Sequence, residues 1–135
     1  MELDRAIRIA AAGMDVQSAR LRVVAENLAN RDTTSEMAGG DPYRRKTVTF
    51  ANRFERALGA NTIRVARVGT SKGDFPTRHD PTHPAANAQG YVKTPNVNST
   101  IEVMDMREAQ RSYSANLSVL EVSRGMLTRT IEAMR

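Results

Sequence analysis

STIEVMDMREAQRSYSANLSVLEVSRGMLTRTIEAMR, residues 99–135, asks for a helix too apolar on one side to exist alone. Val103, Met106, Tyr113, Leu117, Leu120, Leu127, Ile131 and Met134 follow steps of three and four residues or their multiples, and only Gln110 and Arg124 interrupt the series with polar groups. That is a heptad pattern sustained over the segment. Ser99 and Glu102 supply a start: the hydroxyl takes an amide of the first turn and the carboxylate reaches back to the capping amide. Such a helix extends roughly 50 Å at about 1.5 Å per residue. Covering each large apolar side chain contributes on the order of 1.5–3 kcal/mol, so something must cover the stripe.

The other end of the chain repeats the logic. Leu3, Ile7, Ala10, Met14, Leu21, Val24 and Leu28 step by threes and fours, with Gln17 the one polar member. Two matching seams predict a mainly α, elongated fold in which long N- and C-terminal helices pair as an antiparallel coiled coil around a small irregular β-containing middle. Residues 1–31 and 99–135 form the two helices of the core and 32–98 the middle. Ala6, Ile9, Ala12, Val23 and Ala25 lie off the main seam, so further helices are expected from other chains.

The first helix is expected to stop near Asn30, where Arg31-Asp32-Thr33-Thr34-Ser35 turns polar and Gly39-Gly40-Asp41-Pro42 forbids continuation. Tyr43 to Phe50 reads as a strand, Phe54 and Leu58 fit a short helical turn before Gly59, and Thr62 to Val68 is a second strand. Beyond Gly69 the chain carries Gly73, Pro76, Pro81, Pro84, Gly90 and Pro95, which leave room for little more than a short strand at Tyr91-Val92-Lys93.

Composition narrows the function classes. The chain of 135 residues has no cysteine, so neither disulfides nor thiolate-bound metal can staple it. The start Met1-Glu2-Leu3-Asp4 is acidic where a secretory signal is basic, and no stretch approaches a membrane span, so a soluble chain without a cleavable signal is expected. The net charge of +5 is uneven: residues 32–98 hold ten basic and six acidic groups, while the two ends are nearly balanced. The middle could meet an anionic partner. His79-Asp80-Pro81-Thr82-His83-Pro84 lacks a third ligand at metal-binding spacing and reads as a rigid turn. Arg44-Arg45-Lys46 is the densest basic run, without the groove-entering helix or stacking aromatics of a nucleic-acid domain. A basic nucleic-acid binder and a small enzyme using the His79/His83 turn are the alternatives from other classes. No catalytic, cofactor or metal site is expected.

Four blocks resemble the axial proteins of the bacterial flagellum, and among them the proximal-rod proteins of the basal body. Asn27-Leu28-Ala29-Asn30 with Thr33 is similar to the signature near the end of the first helix in rod and hook proteins. Pro42-Tyr43-Arg44-Arg45-Lys46 resembles a block of the rod proteins in particular. Asp80-Pro81 with His83-Pro84, then Gly90-Tyr91 and Pro95-Asn96, match the family in order, as do Arg111, Tyr113 and Asn116 of the second helix.

The resemblance implies a structural protein exported through the flagellar type III apparatus without signal cleavage. It would assemble with copies of itself and other rod subunits into a hollow rod that crosses the periplasm, transmits torque and carries the export channel. Neither nucleic acid nor an inserted membrane segment is implied, and the basic middle would meet acidic groups of adjoining subunits.

Overall fold

The computed structural model describes residues 2–135. Met1, where the expected segment 1–31 begins, lies outside the described residues. In chain order the elements are α1 (Glu2–Ala29), β1 (Lys46–Glu55), β2 (Ala60–Thr70), β3 (Thr77–His79), β4 (Tyr91–Lys93) and α2 (Ser99–Ala133). The strands form two separate two-stranded sheets, β1 with β2 and β3 with β4. In the second, antiparallel sheet, Thr77 faces Lys93, Arg78 faces Val92 and His79 faces Tyr91. No helix among the described residues is long and apolar enough to cross a membrane.

About 47% of the chain is helix and 20% strand, which makes it an α plus β protein. The expectation of a mainly α chain, an antiparallel coiled coil with only a small irregular β-containing middle, is thereby corrected. One reason lies at Phe54 and Leu58, whose four-residue spacing mimics a helical turn. Phe54 instead belongs to β1, and Leu58 lies in the loop 56–59 that reverses the chain into β2. The Leu58 and Gly59 amides both donate to the Glu55 carbonyl, at 3.1 and 2.9 Å. Gly59 takes the left-handed φ of 60° that closes such a loop without a Cβ clash. The other reason is the character of the buried positions of α2. Glu102, Ala109 and Ser123 are buried and fall on multiples of a seven-residue step. They are too small or too polar to act as the large apolar knobs of a coiled coil.

Two compact units divide the chain. The first comprises Met1–Leu21 (described from Glu2 on), Val48–Arg67 and Met106–Arg135; the second comprises Arg22–Thr47 and Val68–Asp105. Within the first unit, Gly13 is buried so tightly against Asn116 that a Cβ on it would lie 2.6 Å from the Asn116 amide nitrogen. Arg20 Nη2 meets Glu108 Oε2 at 3.4 Å. Ala10, Val16 and Ala109 are buried in this unit, as is Leu58 of the hairpin loop. Gln17 Oε1 is buried with no hydrogen-bond donor among the described residues.

The second unit begins with the end of α1, which stops at a local polar knot. The Asn30 amide nitrogens, main-chain and side-chain, both donate to the Glu26 carbonyl, and Asn30 Oδ1 accepts the Thr33 hydroxyl at 3.1 Å. α2 is capped by Asn98, whose Oδ1 accepts the Thr100 amide at 3.0 Å and the Ile101 amide at 3.4 Å. The cap expected from Ser99 with Glu102 is thus replaced, because the Glu102 carboxylate turns inward.

Candidate functional site

Helical periodicity carries Asn27, near the end of α1, to the interior of the second unit, where it is 1% exposed. A buried primary amide offers two donors and one carbonyl acceptor, and all must be met to avoid a penalty of about 1–3 kcal/mol per orphaned group. Asn27 meets them with the segment that leads into β1. Its Nδ2 donates to the Lys46 carbonyl at 2.9 Å and its Oδ1 accepts the Lys46 amide at 2.9 Å, as a neighbouring strand would. The same Oδ1 accepts the Tyr43 hydroxyl at 2.7 Å, and Nδ2 also donates to Glu102 Oε2 at 3.3 Å.

Glu102 is wholly buried, so its carboxylate is tolerable only if paired. Arg45 supplies the charge: its Nε donates to Glu102 Oε1, and Nη2 lies 3.5 Å from Asp105 Oδ2. The Arg45 main chain is fixed as well, its amide donating to Asn96 Oδ1 at 2.8 Å and its carbonyl accepting the Ser71 amide at 2.8 Å. Arg44 turns the other way, donating to the carbonyls of Ser71 and Gly73 at 2.9 and 3.1 Å. Its guanidinium lies 4.2 Å from the centre of the Phe75 ring. Lys46 Nζ reaches Glu26 Oε2 at 3.1 Å, a hydrogen bond that, with the attraction behind it, raises the lysine pKa above its ordinary 10.5. Burial raises the Tyr43 pKa above 10.0; Lys46 opposes this, and Glu26 and Glu102 add to it.

The basic run Arg44-Arg45-Lys46 is therefore spent inside its own unit rather than offered outward. Sequence reasoning missed Glu102 as its partner, and the available signal was a carboxylate in a seven-residue series with Ala109, Asn116 and Ser123, beside the apolar seam rather than on it.

A second group of motif residues braces the β3–β4 connection. The Asp80 amide donates to the Gly90 carbonyl at 2.9 Å and Asp80 Oδ1 accepts the Thr82 hydroxyl at 2.9 Å. His83 Nδ1 accepts the Ala85 amide at 3.0 Å, so this imidazole serves the turn. Gly90, at a φ of 84°, leaves room for Pro81, whose Cγ would be 3.0 Å from a Cβ there. His79 and Tyr91 meet edge to face, ring centres 5.0 Å apart. Pro42 and Pro95 are buried, and Ala29 and Pro84 are exposed. In the first unit, Arg111 is exposed and Tyr113 half-buried, while Asn116 faces Gly13.

Of the apolar seam positions, Val24 is buried, and Leu3, Ile7, Met14, Leu21, Leu28, Met106, Tyr113, Leu120 and Leu127 are half-buried. Val103, Leu117, Ile131 and Met134 face solvent in the single chain. The polar network of the second unit ties the end of α1, the entry to β1 and the start of α2 by fixed pairs. That arrangement holds three segments of chain in register.

Residues 88–133 match the family described as flagellar basal body rod FlgEFG protein C-terminal. Over 133 residues, 98% of this chain and 96% of the relative, the sequence is 47% identical to flagellar basal-body rod protein FlgC of Agrobacterium fabrum. Identity to the FlgC protein of Bacillus subtilis is 35% over 141 residues, and to that of Salmonella typhimurium 37% over 123 residues, each covering more than 90% of both chains. Similarity of this extent, from α1 through the network to α2, makes the chain a member of the FlgC family of flagellar basal-body rod proteins, structural subunits of the basal-body rod.

Proposed function

We propose that the chain is a subunit of the proximal part of the rod, exported through the flagellar type III apparatus and then joined to copies of itself and to neighbouring rod proteins. The contacts are made by apolar side chains of the terminal helices. The assembly is a hollow axis that transmits torque and carries the export channel, and the role is structural rather than catalytic. The observation that carries this reading is apolar surface left in water: Val119, Val122, Met126 and Ile131 on α2 are 49–57% exposed, and Met134 just beyond it is 81% exposed. Isolated exposed apolar residues are ordinary, but a helix that presents so many along its length marks a contact surface.

The test compares Leu117→Asp with the unaltered chain in cells that lack a native copy, measuring secretion and the amount retained in isolated basal bodies. A carboxylate in a packed apolar contact costs several kcal/mol. The variant is expected to be made and secreted yet absent from basal bodies. Normal incorporation and motility would overturn the packing role of this helix.

A further inference from the structure

With Arg44, Arg45 and Lys46 engaged internally, the positive charge of the chain lies elsewhere. Residues 48–67 of the β1–β2 hairpin carry Arg53, Arg56, Arg64 and Arg67 against one carboxylate, Glu55, whereas the remainder of the chain holds sixteen basic and fourteen acidic groups. All four arginines are exposed, and none has an ion-pair, hydrogen-bond or ring partner for its guanidinium among the described residues. Glu55 is half-buried and accepts the Thr62 hydroxyl at 3.3 Å. Asp15 of α1 and Glu55 line the same cleft as Arg53 and Arg64, yet neither carboxylate is within ion-pair distance of a hairpin arginine, and Arg56 and Arg67 lie outside that lining. Four cations on a thin hairpin sum to a local field that is unfavourable in isolation and favours an anionic neighbour.

We propose that the hairpin is an electrostatic docking arm for an acidic surface on a different rod protein, an inference that rests on the chain being a rod subunit. An exposed aromatic side chain and the chemistry of the guanidinium select this occupant. Phe54, 63% exposed, lies between Arg53 and Arg56 in sequence. Aromatic side chains and arginine are enriched together at protein interfaces, and guanidinium forks match carboxylates in paired geometry. A second copy offers no acidic run in sequence to match it: its exposed carboxylates without an ion pair among the described residues, Asp15, Glu36, Asp74, Glu121 and Glu132, are each more than ten residues from the next.

The experiment replaces all four arginines by glutamine, and separately by lysine, in cells lacking the native copy, and measures secretion and incorporation into isolated basal bodies beside the unaltered chain. Circular dichroism of the purified variants checks that the fold is kept. The glutamine variant is expected to be secreted but incorporated about tenfold less or worse, the combined loss of several rim charges, and the lysine variant to recover most of it. Full incorporation of the glutamine variant, an equal defect in the lysine variant, or loss of secretion would each overturn the proposal. So would arginine-dependent self-association of the purified unaltered chain at low salt, which would make a second copy the partner. Absence of the unaltered chain from basal bodies would instead refute the rod reading itself, so the two failures are distinguishable.

Discussion

Arg45→Met is the most direct probe of the polar network. Methionine keeps much of the aliphatic stem and removes the guanidinium, leaving the Glu102 carboxylate 0% exposed with only the 3.3 Å bond from Asn27. Stranding one member of a buried ion pair costs about 3–5 kcal/mol. The nearby Lys46–Glu26 pair provides the contrast: its side chains are 39% and 46% exposed, and solvent screening leaves such a pair little to contribute, so Lys46→Met should matter little. Hydrogen exchange at the Lys46 amide, which donates to Asn27 Oδ1, reads the local opening directly. At a factor of ten per about 1.4 kcal/mol, protection should fall by roughly two to four orders of magnitude in Arg45→Met and by less than about tenfold in Lys46→Met. Adding Glu102→Gln to Arg45→Met removes the stranded charge but keeps an acceptor for Asn27, and should restore about 2 kcal/mol of the loss. Similar protection in the two single variants, or a double variant as weak as the sum of its parts, would refute the idea that a buried charge pair governs this unit.

The Tyr43 phenol keeps its proton longer in the folded chain than in the unfolded one, because its pKa is raised above 10.0. Its contribution is complete below that pH and declines as pH rises through the folded value; Lys46, raised above 10.5, acts in the same direction. Thermal melts of the unaltered chain should therefore weaken at alkaline pH, and Tyr43→Phe should flatten that decline while costing about 1 kcal/mol at neutral pH. Gln17→Met removes a buried acceptor that lacks a donor among the described residues, and urea denaturation should show a gain of about 1 kcal/mol. Gly125→Ala meets no atom within 4 Å, so the melting temperature should rise by the equivalent of about 0.5–1 kcal/mol of helix propensity. Gly90→Ala, at a φ of 84° and against Pro81, should lose stability in the same assay.

The helices were legible because periodic apolar residues extend over many turns and the breakers beyond Asn30 are strong; α1 ends at Ala29 and α2 begins at Ser99. The extent of the hairpin was not. Phe54 and Arg53 occupy β1 although Phe54 is 63% exposed, so no burial alternation told strand from turn there. Five residues of the recognised motifs, Asn27, Tyr43, Arg45, Lys46 and Asn96, meet in one network. What they do there could not be read from spacing. Asn27 and Glu102 are 75 positions apart, and only the fold shows that they meet. The charge of Arg44-Arg45-Lys46 looked available because local sequence does not reveal distant carboxylates.

The C-terminal helix shows why apolar periodicity alone misdirects a fold assignment in such a chain. Large apolar residues are usually the buried ones, so a stripe of them is read as facing its own chain. In α2 the positions buried within the single chain are instead Glu102, Ala109 and Ser123, and Asn116 of the same series lies against Gly13. Small groups suit that side because they let a neighbouring backbone come close, and the glycine on α1 is the matching half of the contact. A side chain at Gly13 would force the two helices apart, since a Cβ there would lie 2.6 Å from the Asn116 amide nitrogen. Of the apolar series, Met106, Tyr113, Leu120 and Leu127 are half-buried in the single chain while Val103, Leu117, Ile131 and Met134 stay exposed, and the function proposed above gives that exposure a use. On that proposal, a pattern with small and polar residues on one seven-residue step and large apolar residues beside it separates two kinds of contact: the first keeps a subunit folded, and the exposed part of the second is available to its neighbours in the rod.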